Sequence, residues 1–352
     1  MKNTRILIVL IVLLVIWNLF SVLYFNYRLE EQRIPPGEDV VNNITVSGFS
    51  TDLTEVVKGA KESIVTVNAN GTVSSGFLYA QRDGFVYVLT TYHGVSDDRS
   101  LNVIFDSGTR KEAVVKAYDI FADLALLEVE FPFDVKTLPL GDSDLLKDGE
   151  FLLAIGTPVS LEYQNSAALT MVSSKLTTLS NSVSFEDSVY DYFSDMIQLG
   201  TPLSEGYSGS ALLNMAGEAV GLCVMSDESG ITFALPINEA SLLAERMLNE
   251  EDHHKSMLGI KGSFVSEMPN YERSDLGLPL ETTEGYYISR LKSSGIAYMS
   301  GLRQGDVLLS VNDIPCLSQD DLLKIAYSGF TDFRFKVLRG GEEVDVEGDI
   351  HD

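Results

Sequence analysis

Three residue types that together perform nucleophilic acyl transfer occur far apart in the chain. His93 follows the apolar run at 86–90, Asp123 precedes the apolar run at 124–129, and Ser208 lies in the segment 205–210. A serine hydroxyl is a poor nucleophile at neutral pH, so it needs an imidazole to accept its proton and a carboxylate to orient that imidazole. The sequence therefore predicts Ser208 as nucleophile, His93 as general base and Asp123 as the orienting acid.

Each of these residues also has a purely structural interpretation. A histidine after a strand is by default a loop or core residue, and an aspartate before a strand is by default a turn or cap residue. Asp119 competes with Asp123 for the acidic role, and we favour Asp123 because it directly adjoins the buried run. The other histidines lie in an acidic stretch or next to the C-terminus: His253, His254 and His351.

The residues around Ser208 distinguish between two kinds of serine hydrolase. Residues 206–209 match the G-x-S-x-G elbow of α/β-hydrolases until its last position, where this chain has Ser210. That elbow opens a helix, whereas residues 211–224 have the pattern of two strands around a turn, so the elbow becomes the less favoured interpretation. Gly206 has no side chain, which lets its N–H and that of Ser208 point at one spot as an oxyanion hole. The structural alternative for Gly206 is an ordinary tight turn.

Short apolar runs separated by turn residues predict an all-β barrel or sandwich over residues 60–245. The chain order His, Asp, Ser is that of the chymotrypsin-like double barrel. Residues 238–250 change to helical spacing, and a charged break at 250–255 marks a domain boundary. The last hundred residues mix strand and helix patterns, which predicts a small α+β module.

Composition excludes several classes of function. The chain has 51 acidic and 25 basic residues, and its formal charge of −26 at pH 7 would repel nucleic acid. Only two cysteines occur, Cys223 and Cys316, so neither a disulfide framework nor a cysteine-rich metal site is available. No nucleotide-binding loop or metal-ligand cluster stands out, so we expect no cofactor and no metal.

An uncharged apolar run occupies residues 6–25, the length that a helix needs to span a bilayer. We predict an uncleaved membrane anchor rather than a signal peptide, because the run is long and no A-x-A-like cleavage site follows it. Residues 1–5 are then expected in the cytoplasm and the remainder on the extracytoplasmic side, periplasmic or extracellular. Residues 26–51 are predicted to be an extended linker.

The segments that match a known family are Ser75-Gly76-Phe77, 88–93, 122–127, 138–144 with 154–156, 206–209 with 212–214, and 233–238. Taken together, these segments resemble the HtrA/Deg family of trypsin-like serine proteases, and the resemblance covers most of the chain. The resemblance implies a mostly β protease domain at 52–250 with His93 as base, Asp123 as acid, Ser208 as nucleophile and the N–H groups of Gly206 and Ser208 as oxyanion donors. It further implies a homotrimer that cleaves misfolded extracytoplasmic proteins.

The same resemblance extends to substrate binding and to the C-terminal module. With no acidic residue at Pro202, cleavage is expected after small or medium apolar residues, in a pocket lined by Pro202, Ile231, Thr232 and Phe233. Residues 256–350 are similar to family PDZ domains, which bind C-terminal peptides as an added strand. The implied groove residues are Leu258, Gly259, Ile260, Leu322 and Ile325, with core packing as the alternative for Ile325.

Four positions depart from the family pattern. Ser210 and Ala211 replace the glycine and proline of a Gly-Gly-Pro stretch after the nucleophile, Gly94 replaces an aliphatic residue after the base, and Met257 replaces an aromatic in the C-terminal module. The stretch 209–211 supports a rival hypothesis from another class, a chaperone or adaptor with a weak or inactive protease domain. The complete set of His93, Asp123 and Ser208 favours the enzyme.

Overall fold

The computed structural model describes Trp17 and residues 46–96, 100–185, 188–226, 230–251, 256–279 and 281–349. The chain divides into two compact units, residues 1–52 and residues 53–352. Apart from Trp17, the predicted anchor at 6–25 lies outside the described residues. Within the described ranges, no helix is both long enough and apolar enough to cross a membrane.

Six antiparallel strands form the first closed barrel, in the order β1-β2-β3-β6-β5-β4. Its interior is filled by aliphatic side chains such as Val67, Leu78, Val88 and Leu127, all fully buried. Val and Ile favour the extended backbone and pack well on a pleated surface. The strands are β1 Ile64–Ala69, β2 Thr72–Arg82, β3 Phe85–Thr91, β4 Leu101–Ile104, β5 Arg110–Asp119 and β6 Leu124–Glu130.

A second closed barrel follows, in the order β10-β11-β12-β9-β8-β7. The predicted pair of strands around a turn at 211–224 is present as β10 and β11. Strands β8 and β9, of 20 and 12 residues, form a long hairpin that the sequence analysis did not predict. The strands are β7 Phe151–Gly156, β8 Ser166–Phe185, β9 Ser188–Leu199, β10 Ala211–Leu213, β11 Ala219–Ser226 and β12 Thr232–Pro236.

Two longer helices flank the barrels. Helix α1 spans Val46–Ala60, so the expected extended linker is wrong over residues 46–51. Its Leu53, Val56 and Val57 pack on the barrel core at helical spacing, and a helix nucleated by such packing propagates readily toward its N-terminus. Helix α2 spans Ile237–Leu248, in agreement with the predicted helix at 238–250.

The C-terminal part is an α+β domain with a six-stranded sheet. Strand β13 forms one edge of that sheet and pairs only with β14 among the described strands. The strands are β13 Ile260–Phe264, β14 Tyr286–Leu291, β15 Val307–Val311, β16 Ile314–Pro315, β17 Asp332–Arg339 and β18 Glu342–Asp349, and the helices are α3 Asn270–Asp275, α4 Ile296–Met299 and α5 Gln319–Ala326.

This C-terminal domain packs directly on the barrels. Leu323, Ala326 and Tyr327 belong to the same buried cluster as the core residues of helix α2. The Tyr327 hydroxyl, fully buried, donates a 2.7 Å hydrogen bond to Glu239. Burial raises the pKa of the Tyr327 phenol well above its ordinary value, so it stays protonated and remains a donor.

Candidate active site

The register of the first barrel brings His93 and Asp123 together. Strands β3 and β6 pair with Thr91 opposite Leu124. His93 lies two residues after Thr91, and Asp123 immediately precedes Leu124. The Tyr92 amide also donates to the Asp123 carbonyl at 3.1 Å, which closes the end of the strand pair. Two residues 30 positions apart in sequence therefore lie side by side.

The Asp123 carboxylate contacts His93 through both of its oxygens. Asp123 Oδ2 lies 2.5 Å from His93 Nδ1, and Oδ1 accepts the His93 backbone N–H at 2.8 Å. This two-point contact fixes the ring orientation and places the proton of the neutral ring on Nδ1, which leaves Nε2 as the acceptor. The hydrogen bond that His93 donates to Asp123 raises the pKa of His93 above its ordinary value, although burial opposes the shift.

Asp119, the competitor for the acidic role, has a structural function. It is buried, and its Oδ1 accepts the backbone N–H groups of Phe121 and Ala122 at 2.8 and 2.7 Å. These bonds cap the turn that leads into Asp123, whose φ of 52° lies in the left-handed region. The geometry therefore favours Asp123 as the partner of His93.

Ser208 lies in the loop before β10 of the second barrel. Its side chain lines a cleft of about 600 Å³ together with His93 and Gly206. The Ser208 carbonyl accepts the Ser75 N–H at 2.9 Å, which ties the loop to the first barrel. Within the described residues, Ser208 Oγ makes no hydrogen bond to His93; in unliganded enzymes this contact is often loose and tightens with substrate.

Hydrogen bonds at neighbouring carbonyls fix the peptide groups that carry the Gly206 and Ser208 amides. The Glu205 carbonyl accepts the Val159 N–H at 3.0 Å, and the Tyr207 carbonyl accepts the Ser210 N–H at 2.8 Å. In a trans peptide the N–H points opposite to the carbonyl, so these bonds turn the Gly206 and Ser208 amides away from Val159 and Ser210. Among the described residues, neither amide donates a hydrogen bond to protein, so both are available to a ligand.

Gly206 cannot be replaced at this position without moving the backbone. Its φ is 90°, and a Cβ would lie 2.6 Å from the Val159 nitrogen and 2.9 Å from the Pro158 Cα. We predict that Gly206→Ala reorients the amide and lowers kcat by about 10² to 10³, the cost of one oxyanion donor. Steady-state kinetics on a peptide ester measure this effect, with Gly84→Ala, a turn glycine with open space around it, as control. A kcat equal to that of the unmodified protein would contradict the assignment.

The predicted specificity pocket lies on segments that adjoin one another. The Leu203 amide donates to the Thr232 hydroxyl at 2.9 Å, which places Pro202 next to the start of β12. Pro202 is exposed and Ile231 is half-buried, whereas Thr232 and Phe233 are buried. None of these four residues lines the cleft that contains His93, so their role stays a prediction.

Four of the five predicted groove residues line a small cavity between the C-terminal domain and the second barrel, whose strand β9 contributes Asp191, Tyr192, Phe193 and Asp195. Leu258, Gly259, Ile260 and Leu322 all line a cavity of about 70 Å³ beside the edge strand β13 and helix α5. Ile325 does not line it and is fully buried in the domain core, as its structural alternative required. The helix itself explains this difference, because Leu322 and Ala326 share a face at i and i+4 and both line the cavity.

Comparisons with known proteins agree with this geometry. Residues 74–222 match the model of the trypsin-like peptidase domain family. The Do-like serine protease HtrA of Lactococcus lactis subsp. cremoris is 27% identical over 327 residues, which cover 82% of this chain and 79% of the relative. The Do-like HtrA of Bacillus subtilis is 28% identical, covering 81% of this chain and 65% of the relative. The chain belongs to the HtrA family of trypsin-like serine proteases.

Solved structures of HtrA-type proteases have the same fold. The HtrA-type protease AlgW with a tripeptide superposes with a TM-score of 0.59 at 22% identity, over 84% of this chain and 95% of that one. A serine endoprotease from Yersinia pestis gives a TM-score of 0.53 at 22% identity, over 84% and 96%. Both alignments extend beyond the length of the peptidase domain. As an HtrA-family member, the chain is a serine endopeptidase.

Two of the departures from the HtrA pattern have local structural explanations. Gly94 faces the Ser74 and Thr91 hydroxyls, each 3.2 Å from where its Cβ would be, so these hydroxyls occupy the space of the usual aliphatic side chain. Ser210 is fully buried, and its N–H and carbonyl bond Tyr207 and Cys223, so its backbone continues into β10. Neither substitution displaces His93 or Ser208 from the cleft.

Other residues that shape the site escaped the sequence analysis. Thr157 and Val159 form the wall against which Gly206 packs, and Val159 has a φ of 59°, a strained value for a β-branched residue. Ser75, on β2, contacts the Ser208 loop directly. Its only signal in the sequence was the Ser75-Gly76-Phe77 segment, which matched the family without indicating a role.

Proposed function

We propose that this HtrA-family chain is a membrane-anchored, ATP-independent serine endopeptidase of extracytoplasmic protein quality control or stress response. The observation that supports it most is that the Asp123-oriented His93 lies in one cleft with Ser208 and Gly206, whose amides donate no hydrogen bond to protein within the described residues. The catalytic roles of His93, Asp123 and Ser208 are part of the proposal.

The arrangement performs peptide hydrolysis in two half-reactions. Ser208 Oγ attacks the scissile carbonyl carbon while His93 Nε2 accepts the hydroxyl proton. The Gly206 and Ser208 N–H groups stabilise the negative oxygen of the tetrahedral intermediate, and Asp123 stabilises the imidazolium. The C–N bond then breaks as His93 returns the proton to the leaving amine, which leaves an acyl-enzyme. Water, deprotonated by His93, attacks the ester; the ester C–O bond of the second intermediate then breaks as His93 returns the proton to Ser208 Oγ, which releases the acid and restores both residues.

Unfolded or misfolded polypeptides are the proposed substrates. The cleft has a volume of about 600 Å³, which holds a short stretch of extended chain and not a folded domain. Cleavage after small or medium apolar residues is proposed from the absence of an acidic residue at Pro202. The test is incubation with one protein in its native form and in a reduced, alkylated form, followed by mass spectrometry of the products. We expect rapid cleavage of the unfolded form alone; equal cleavage of both, or cleavage after Lys and Arg, would contradict the proposal.

The C-terminal domain is proposed to be a PDZ domain that binds C-terminal peptides. Strand β13 is an edge strand with helix α5 beside it, which is the setting in which a peptide adds as a further strand. Gly259 has a φ of 69°, and its Cβ position would be 3.2 Å from Lys292, so glycine shapes the loop before β13. The loop 257–260 is the proposed site for the peptide carboxylate.

A membrane anchor and a homotrimer are two further parts of the proposal. Anchoring is supported by the uncharged run at 6–25 and tested by fractionation, since deletion of residues 1–25 should move the protein from membranes to the soluble fraction. Trimerisation is proposed from family resemblance and tested by analytical ultracentrifugation of the deleted form.

A further inference from the structure

The loop that carries the proposed oxyanion donors is held at three successive carbonyls. Two of them, Glu205 and Tyr207, bond the backbone amides of Val159 and Ser210. The carbonyl between them, that of Gly206, accepts instead from a side chain of the other barrel, Ser75 Oγ, at 2.6 Å. The N–H of the same peptide, that of Tyr207, donates a longer bond of 3.2 Å to the Ser204 carbonyl. The Ser75 hydroxyl therefore makes the shorter of the two hydrogen bonds that orient the central peptide of the loop.

The proton of the Ser75 hydroxyl can be assigned from its partners. Ser75 Oγ also lies 2.8 Å from the Thr157 amide, which can only donate. The hydroxyl oxygen thus accepts from Thr157 and its own proton goes to the Gly206 carbonyl. Ser75 is fully buried, so no water replaces either bond if the hydroxyl is removed.

The backbone of Ser75 contacts the same loop. Its N–H donates to the Ser208 carbonyl at 2.9 Å, and its own carbonyl accepts the Thr90 hydroxyl at 2.7 Å. Ser75 therefore bonds both residues whose amides would form the oxyanion hole. Because β2 belongs to the first barrel and the loop to the second, Ser75 also fixes the loop relative to the barrel that carries His93.

Two glycines leave the space in which Ser75 sits. A Cβ on Gly156 would overlap Ser75 Oγ, and a Cβ on Gly209 would overlap the Ser75 carbonyl and lie 2.6 Å from the Thr90 hydroxyl. Gly209 has a φ of 82°, so it also needs glycine for its backbone conformation. The Ser75 hydroxyl therefore lies where strand β2, residues 156–157 and the Ser208 loop meet.

We propose that Ser75 is a positioning residue that orients the oxyanion loop through its hydroxyl. The inference rests on the proposed catalytic role of the Gly206 and Ser208 amides. Loss of the hydroxyl leaves the Gly206 carbonyl and the Thr157 amide unpaired in a buried site, and the loop then turns to satisfy them. Stabilisation of the oxyanion falls, whereas the Asp123 and His93 pair is unchanged.

The test is Ser75→Ala in the full-length chain in detergent, compared with Ser63→Ala, another buried serine, whose hydroxyl has no hydrogen-bond partner among the described residues. We expect kcat on a peptide ester to fall about 10- to 100-fold, below the cost of losing a whole oxyanion donor. KM and the pH midpoint of kcat/KM should not move. Affinity for a peptide aldehyde, whose adduct carries the oxyanion, should fall by the same factor as kcat/KM. Ser63→Ala should match the unmodified protein.

A second variant covers failure of Ser75→Ala to fold. Gly156→Ala keeps the hydroxyl but displaces it by direct overlap, and we expect the same selective loss of kcat and aldehyde affinity. Unchanged kcat in a folded variant, or equal losses of aldehyde affinity and of ground-state substrate binding, would overturn the proposal. If the unmodified protein itself fails to hydrolyse the ester, the proposed function falls and this inference falls with it.

Discussion

Replacement of Ser208 by alanine is expected to lower kcat for an unfolded protein or a peptide ester by about 10⁶, and His93→Ala should cost about as much. Ser208 supplies the atom that forms the acyl-enzyme, and His93 is the only histidine in its cleft among the described residues. Because the two groups act in one step, the double variant should lose little more than either single variant. Steady-state kinetics with sensitive fluorogenic substrates measure all three.

Ser63→Ala provides the matched control for these losses. It removes a buried serine hydroxyl outside the cleft and should retain activity, which separates chemistry from general damage to the fold. Thermal melts of all variants complete the comparison. A Ser208→Ala variant that folds and still hydrolyses the substrate at an appreciable rate would contradict the assignment of the nucleophile.

Asp123→Asn has the second largest expected effect, a fall in kcat of about 10⁴ with the fold intact. Asn is nearly isosteric, but its amide cannot accept at both positions where Asp123 now accepts from His93, the ring Nδ1 and the backbone N–H. The imidazole then takes the wrong tautomer and the developing imidazolium loses its counter-charge. Asp119→Asn is the matched control, because the oxygen of its side-chain amide can still accept the Phe121 and Ala122 amides. The fall in kcat of this variant should be much smaller than that of Asp123→Asn.

The same pair predicts the pH dependence of the unmodified protein. His93 must be neutral to accept the serine proton, so kcat/KM rises with pH through the His93 pKa of the free enzyme. Asp123 raises that pKa, so the midpoint should lie above about 6.5, the ordinary value for histidine. In Asp123→Asn the residual activity should have its midpoint at lower pH. An identical midpoint in both proteins would show that Asp123 does not act on His93.

Sequence patterns predicted the parts of the fold that depend on local periodicity. The apolar runs ending at 90 and beginning at 124 became strands β3 and β6, and their pairing placed His93 beside Asp123. The glycine at 206 indicated either an oxyanion hole or a tight turn, and the structure shows a positive φ there, which suits both. These signals work because each arises from a residue and its immediate neighbours.

Other features depend on contacts that no local pattern contains. The β8–β9 hairpin has many Ser and Thr residues around 173–184, so its strands lack a strong apolar face. Strand β9 pairs with β8 from Val172 to Phe185, whereas the first residues of β8 pair with β7. Lys261 and Lys292 of the C-terminal domain bond the hairpin at Thr178 and Ser180. Helix α1 begins earlier than expected because its packed turns support the residues before them.

The Ser208 loop illustrates the same limit inside the candidate site. The motif at 205–210 indicated a nucleophile, but its peptide groups are oriented by Val159 and Ser75, from two other segments, as well as by Ser210 within the motif. A valine at a φ of 59° is unfavourable by itself, and it persists here because the surrounding structure holds it. Only the closed barrels bring these segments into contact.

The most direct test of a working catalytic triad is labelling with a fluorophosphonate, which reacts with an activated serine. The soluble piece, residues 37–352, should be labelled at Ser208, and the Ser208→Ala and His93→Ala variants should not be labelled. Labelling confined to the unmodified protein, with Ser208 identified by mass spectrometry, is the result that we predict. No labelling of the folded protein in the presence of unfolded substrate and C-terminal peptides would contradict the account and favour a binding protein with an inactive protease domain.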